Sequence, residues 1–530
     1  MAIGQSPGEP VRAFYEARGN APFWLSEDGR ATDASRELLA WAGEAAAHAL
    51  PARRYGVGAL ATRLAERGQR APSEAAAIEA ALTRLYLTYA RDLSSGIVVP
   101  TEVSDEIDVE PTRPLPAALL QDLEGASDIA AYLASLRPAD PAYDGLLGLH
   151  REMQAIEAAG GWGATVDPGP TLRAGDRDDR VAQLRARLTA LGDLQPRGDT
   201  TPDSARLAAN QITTDAGPAD GSAQFAGIID PRFFDEELDL ALRHFQARHG
   251  LNTDGVAGPA TIGAVNTTAA ERAAQIAVNL ERLRWFEMAR DRRTVFINIA
   301  DYSMKMIENG EVRFETRTVV GKASKHRTPE FNDELEYLVV NPIWNVPYSI
   351  ASKEILPLLK ENPDYLTENN MELTGSDVPA SEIDWSTVTR RSFPGRLRQL
   401  PGPDNALGFV KFLFPNRHSI YMHDTPSRKL FARDRRDFSH GCVRLEKPYD
   451  FAHLLLSLQP EVSDPVEKFD RLREKEGEQW IRLADPIPVY LTYRTAWTAG
   501  DGTIQFRADV YGRDRAVSQA MARAGAASDG

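Results

Sequence analysis

Phe438-Ser439-His440-Gly441-Cys442-Val443-Arg444-Leu445 contains the one cysteine among 530 residues. A single thiol cannot form an internal disulfide, which leaves a buried small hydrophobe, a metal ligand or a nucleophile. The neighbours favour the nucleophile. Gly441 lets the backbone turn sharply just before the thiol, His440 and Arg444 make the surroundings electropositive, and His423 lies 19 residues upstream. Such an environment matters because a free thiol is only a few per cent ionised near neutral pH. Zinc is disfavoured, since one Cys and the nearby His residues do not complete a four-ligand site without further ligands. No metal and no cofactor is expected.

Together, His423-Asp424-Thr425 and the Ser-His-Gly-Cys run followed by an apolar residue and Arg resemble the signature of the L,D-transpeptidase catalytic domain, the YkuD type. Asn341 to Pro347, Lys353 to Pro357, Asn369-Asn370, Pro401 to Gly408 (with Asn405) and Tyr511-Gly512-Arg513-Asp514 are similar to the large, YcbB-like branch of these enzymes. The N-terminal region resembles that branch too, so the likeness covers nearly the whole chain.

The surrounding chain reads as a multidomain α+β protein. At 530 residues it exceeds one core, and about two to four domains are expected. Residues 10 to 160 read as a helical scaffold, with Ala77, Ile78, Ala81, Leu82 and Leu85 at helical spacing. Gly160 to Gly163 and Asp167 to Pro170 break that pattern. A module over 171–270 follows, opened by Val181, Leu184, Leu188 and Leu191 on one helix face and interrupted by a polar, flexible insertion at 196–230. Its run from Phe245-Gln246 through Gly250-Leu251, Asp254-Gly255 and Gly258-Pro259-Ala260-Thr261 is similar to the peptidoglycan-binding three-helix module. Gly250 is expected to end one helix and Thr261 to N-cap the next.

From Thr294 the period changes to two. Strand-like runs at Val295–Ile299, 312–320, 335–341, 409–414 and 419–423 mark a β-rich domain over 290–515. A helical insertion at about 348–400 interrupts it; the resemblance implies a lid capping the active site. Residues 516–530 are expected to be a disordered tail.

In chemical terms, Cys442 is the nucleophile, and His423, ending a strand, is the base, an imidazole whose ordinary pKa is about 6.5. Asp424 is not made a triad member by adjacency, because neighbouring side chains on a strand point to opposite faces; the resemblance implies a backbone carbonyl as the group orienting His423. The N–H groups of Gly441 and Cys442 are the expected oxyanion donors. Arg444 is placed to hold a substrate carboxylate through paired hydrogen bonds. The resemblance brings Tyr421 and Asn405 to the acyl site. Ser439 and His440 flank it, chiefly as structural, hydrogen-bonded residues, and Trp344 is a candidate wall of the groove.

The reaction implied by the resemblance is acyl transfer on peptidoglycan stem peptides. Cys442 attacks a tetrapeptide stem, terminal D-Ala leaves, and the side-chain amine of a neighbouring diamino acid takes the acyl group in a 3→3 cross-link. The same acyl-enzyme serves hydrolysis, 1→3 linkage or attachment of a protein to the wall. A non-catalytic wall-binding scaffold is the alternative from another class. A papain-like protease is disfavoured because its cysteine precedes its histidine.

A net charge of −15 argues against a general nucleic-acid binder. Arg428, Lys429, Arg433, Arg435 and Arg436 form a local basic patch, either a solvated loop or a grip on an anionic polymer. No apolar run reaches the length of a membrane span. The first eight residues have no basic n-region or apolar h-region, which alone reads as cytosolic. The resemblance instead implies the periplasm or cell envelope, with a signal or anchor absent from this chain. A monomer is expected.

Overall fold

The computed structural model describes residues 8–66, 71–195, 230–288 and 292–526. Most of the expected insertion at 196–230 lies outside these residues. The chain divides into two compact units, one of residues 1–147, 275–497 and 507–530, the other of residues 148–274 and 498–506.

The larger unit opens with helices. Asp33–Gly43 and Pro72–Ser95 are the longest of its opening 135 residues, and they enclose Trp24, Leu38, Leu82, Tyr86 and Tyr89. Buried Glu79 is held by the N–H groups of Phe23, Trp24 and Leu25 and by the Tyr15 hydroxyl, which a buried carboxylate requires.

The sheet that carries the site is built from β1 (Thr294–Asn298), β2 (Ser303–Glu308), β3 (Glu311–Gly321) and β4 (Phe331–Val340). A small inserted sheet contains β5 (Trp344–Asn345), β6 (Met371–Thr374) and β7 (Arg396–Gln399). The chain then returns with β8 (Val410–Leu413), β9 (Met422–His423), β10 (Asp437–Ser439), β11 (Val443–Leu445) and β12 (Gln479–Thr492). Among the described residues the main sheet has nine strands, ordered β10-β3-β11-β9-β8-β4-β12-β1-β2.

Alternation assigns the two faces. Val410, Phe412, Met422, Val443 and Leu445 point into the core with Phe451 and Leu455 of the helix Pro448–Ser457. Lys411, His423 and Arg444 are therefore left on the other face, aligned across three neighbouring strands. The strand expected over 419–423 shortens to Met422–His423, because Ser419 has φ +56° and Asn416 folds the preceding loop onto itself by accepting the His418 and Ile420 N–H groups.

The insertion is mixed rather than helical. Short helices (Leu356–Glu361, Tyr365–Glu368) pack with the antiparallel β5-β7-β6 sheet around Leu359, Leu366, Trp385, Phe393 and Leu397. Its strands are two to four residues long, too short to show a period of two in sequence.

The expected disordered tail is also corrected. Arg513–Ala526 is a helix, anchored by Val517 packed with Val98, Ile107, Val109, Val278 and Trp285. Its first residue, Arg513, is buried against Glu330.

In the smaller unit, helices Asp179–Ala190, Glu236–Arg248 and Pro259–Val265 share a core of Leu184, Leu188, Leu238, Leu242, Phe245 and Val265. Gly250, at φ +62°, follows the second helix as expected. Thr261 does not cap the third: Gly258 is the N-cap, Pro259 starts the helix, and Thr261 is buried inside it. Gln246 accepts the Gly255 N–H and donates to Asp254 and Val256. These landmark residues therefore build the module's turns and core.

Candidate active site

The parallel pairing of β9 with β11 sets Met422 beside Val443 and His423 beside Arg444. The same register brings Tyr421 beside Cys442, and the Val443 N–H donates to the Tyr421 carbonyl at 3.0 Å. Thiol, phenol, imidazole and guanidinium thus share one face of the sheet.

Cys442 is half-buried, and its Sγ donates to the Ser419 carbonyl at 3.8 Å. Burial pushes the thiol up to about 11, although hydrogen bonds from Tyr421 and the positive charges of Arg444 and Lys411 oppose the rise. The electropositive surroundings read from sequence are present, but desolvation outweighs them. The Cys442 thiol is therefore protonated at neutral pH.

His423 is buried, and its Nδ1 lies 2.5 Å from the Asp424 carbonyl. With the proton on Nδ1, Nε2 is left as the acceptor. Desolvation, then Arg444 and Lys411, lower the imidazole to about 3, against the Asp424 carbonyl. It is neutral across the ordinary pH range, well below the ordinary value assumed from sequence.

The Asp424 side chain takes no part in a triad. Its buried carboxylate accepts from the N–H groups of Phe409 (3.0 Å) and Thr425 (2.7 Å) and from the Tyr449 hydroxyl (3.3 Å). Arg428 donates to it at 3.4 Å. This network holds the peptide whose carbonyl orients His423. It borders a cavity of about 510 Å³ lined by Gly408, Phe409, Asp424, Arg428, Glu446 and Tyr449, among others, which does not include Cys442.

Several candidates are placed differently from the sequence reading. The Gly441 N–H donates to Ser439 Oγ at 3.1 Å and is not free as an oxyanion donor. Gly441 sits at φ +119°, a turn that closes its N–H onto the preceding serine. The Cys442 N–H has no hydrogen-bond partner among the described residues and remains the available donor. Ser439 is buried, donates to the Cys442 carbonyl at 2.6 Å, and so shapes the loop rather than meeting substrate.

Asn405 is likewise buried. It donates to the carbonyls of Pro342, Gln399 and Leu400 and accepts the Leu407 N–H. Trp344 packs against the core of the insertion. The basic patch is largely used within the fold: Arg435 pairs with Asp437 at 2.7 Å, Arg436 donates to the Thr318 carbonyl, and Arg433 lies over Phe438.

Arg444 is partly exposed, makes no ion pair among the described residues, and its buried Nε has no hydrogen-bond partner. A guanidinium held without an acid is suited to a carboxylate from outside. The His440 Nε2 meets Glu354 Oε1 of the insertion at 2.8 Å, and its ring lies 4.8 Å from that of His326.

Lys411 and Ser419 were not singled out from sequence. Lys411 is buried, with its ammonium 5.7 Å from the Tyr421 ring and 5.3 Å from that of Trp480. Its alternation with Val410 and Phe412 was the available signal, but identifying the site face required the register.

Residues 292–467 match the L,D-transpeptidase catalytic domain, residues 9–148 the "Scaffold domain", and residues 222–265 the "Putative peptidoglycan binding domain". A curated "Putative L,D-transpeptidase" of Haemophilus influenzae is 36% identical over 249 residues, 46% of this chain and 49% of that protein. The chain thus spans about half the length of that relative. The N-acetylmuramoyl-L-alanine amidase CwlM of Mycobacterium tuberculosis is 32% identical over 99 residues, 19% of each chain. Solved L,D-transpeptidases of Xylanimonas cellulosilytica and Stackebrandtia nassauensis are 14% and 13% identical. They cover 62% of this chain and 100% and 97% of their own lengths. Their TM-scores of 0.17 and 0.21 are too low to indicate a common overall fold. Residues 292–467 thus match the YkuD-type L,D-transpeptidase catalytic domain, on a chain whose other parts match a scaffold domain and a putative peptidoglycan-binding domain.

Proposed function

We propose that this chain is a peptidoglycan L,D-transpeptidase with Cys442 as its nucleophile. The observation that carries the reading is the shared face of Cys442, neutral His423 and acid-free Arg444. Arg444 holds a carboxylate of the donor stem and sets the carbonyl of its third residue over Sγ. His423 Nε2 takes the thiol proton as sulfur attacks. The Cys442 N–H and the Tyr421 hydroxyl stabilise the oxyanion, one such donor contributing about 2.7–4 kcal/mol. Imidazolium returns the proton to the departing amine of D-Ala, leaving a thioester.

In the second half, the side-chain amine of a neighbouring stem's diamino acid attacks the thioester. His423 takes the amine proton, and the thiol re-forms as a 3→3 cross-link is completed. Both half-reactions balance in protons without a cofactor. The inserted subdomain acts as the lid, the 171–270 module engages the glycan-peptide wall, and the reaction belongs in the periplasm.

Purified muropeptides bearing tetrapeptide stems test this reading. Wild type should release D-Ala and form 3→3 dimers, whereas Cys442→Ala should do neither while still binding sacculi. D-Ala release by the alanine variant would overturn the nucleophile. Tripeptides without dimers would make the enzyme an L,D-carboxypeptidase. A carbapenem should leave one covalent adduct on wild type and none on Cys442→Ala.

A further inference from the structure

We propose that His326, Glu354 and His440 form a binding site for one divalent transition-metal ion of the zinc type, joining the inserted subdomain to the loop that carries Cys442. The three residues come from separate parts of the chain: the turn after β3, the insertion, and the loop before β11. One ligand atom from each lies within 4.8 Å of the others. Sequence alone disfavoured zinc for want of further ligands near His440, and the fold supplies two.

The two imidazoles are held together by bonds that do not involve their rings. The Lys322 N–H donates to the Ser439 carbonyl at 3.0 Å, and Thr328 Oγ1 donates to the Gly441 carbonyl at 2.7 Å. The His326 N–H closes a turn onto the Lys322 carbonyl at 3.0 Å. That turn lies so close to β3 that a Cβ on Gly321 would come within 1.8 Å of the His326 carbonyl oxygen. The backbones of both histidines are therefore fixed before any ion binds, as a metal site requires.

A hydrogen bond explains the contact of His440 with Glu354, at 2.8 Å. It does not explain His326, whose ring stands 4.8 Å from the His440 ring, tilted by 48°. Among the described residues, no group hydrogen-bonds its ring nitrogens. Two imidazoles and a carboxylate with a fourth position open to water are a familiar zinc donor set. Zinc–nitrogen bonds are about 2.0–2.1 Å, so ligand atoms spread over as much as 4.8 Å must close by side-chain rotation. Glu354 is half-exposed and can make that movement. It lies on the π-helical turn Ala351–Ile355, and such turns recur at functional sites. Lys322 and Lys353 add positive charge near His326, so affinity must come from coordination rather than from the surrounding field.

A bound ion would clasp the insertion to the Ser-His-Gly-Cys loop, two residues from the nucleophile. Its chemistry is independent of acyl transfer, so the proposal stands or falls apart from the enzymatic reading.

The test titrates chelator-treated full-length chain with Zn²⁺ by calorimetry and thermal unfolding. One ion per chain is expected, with a rise in unfolding temperature. Glu354→Gln and His326→Gln should each weaken binding by about tenfold or more, and Cys442→Ala should bind as wild type does. Co²⁺ in place of Zn²⁺ should give ligand-field bands without thiolate charge transfer. Absence of binding to wild type would overturn the proposal. So would unchanged affinity in Glu354→Gln, or loss of the ion in Cys442→Ala with a thiolate band in wild type. If His326→Gln does not fold, Glu354→Gln decides alone, since it alters a half-exposed side chain.

Discussion

Gly408→Ala tests whether the Asp424 network positions His423, the proposed base. Gly408 has φ +60°, and an added Cβ would lie 2.2 Å from Asp424 Oδ2 and 2.3 Å from Cγ. The left-handed backbone costs a non-glycine residue about 1–2 kcal/mol. The carboxylate cannot simply swing aside, because the Phe409 and Thr425 N–H groups hold it. Losing one such charge-assisted bond costs about 1.5–3 kcal/mol, which brings the expected loss of stability to roughly 2.5–5 kcal/mol. Gly310→Ala separates the two contributions: its φ is +81°, but nothing lies within 4 Å of the new Cβ. That control should lose only about 1–2 kcal/mol. Moving Asp424 also moves the carbonyl that fixes His423, and a misplacement of about 1 Å can cost roughly a hundredfold in rate. The assay is thermal unfolding of both variants together with D-Ala release. Equal destabilisation of the two, with Gly408→Ala turning over like wild type, would refute the positioning role.

Arg444→Lys keeps the charge but loses the paired donors, so kcat/KM for tetrapeptide stems should fall by about tenfold or more; an unchanged value would remove Arg444 from substrate recognition. His423 gives a stability signature. Its folded pKa of about 3 lies below the unfolded value of about 6.5, so the unfolded chain binds the extra proton. Stability should therefore fall with pH between about 6.5 and 3, by up to about 1.4 kcal/mol per unit. Comparing wild type with His423→Gln across that range checks the sign; identical slopes would mean that the imidazole is not buried neutral. Val517→Ala should destabilise the larger unit by about 1–3 kcal/mol, whereas a disordered tail would show no change in chemical denaturation.

The site was legible where chemistry is local. Ser439 to Leu445 and His423 are distinctive by residue type and spacing, and the alternation in Val295 to Ile299 marks a strand without any partner. The roles of Asn405 and Gly441 were less legible, because each depends on which hydrogen bond a polar group has already made. Both are satisfied within the fold, and no sequence pattern reports that.

By itself, the sequence determined the unique thiol, the upstream imidazole, the change from helical to strand periodicity and the landmark turns of the small module. These depend on residue type and short-range geometry. Only the tertiary structure decided that Lys411, His423 and Arg444 share a face, since strand register arises from distant pairing. It alone set the neutral state of His423, because desolvation depends on everything packed around the ring. It also turned the supposed tail into a helix through Val517 and brought His326 and Glu354 to His440. In each case the deciding contact joins residues far apart in the chain, where local pattern has no reach.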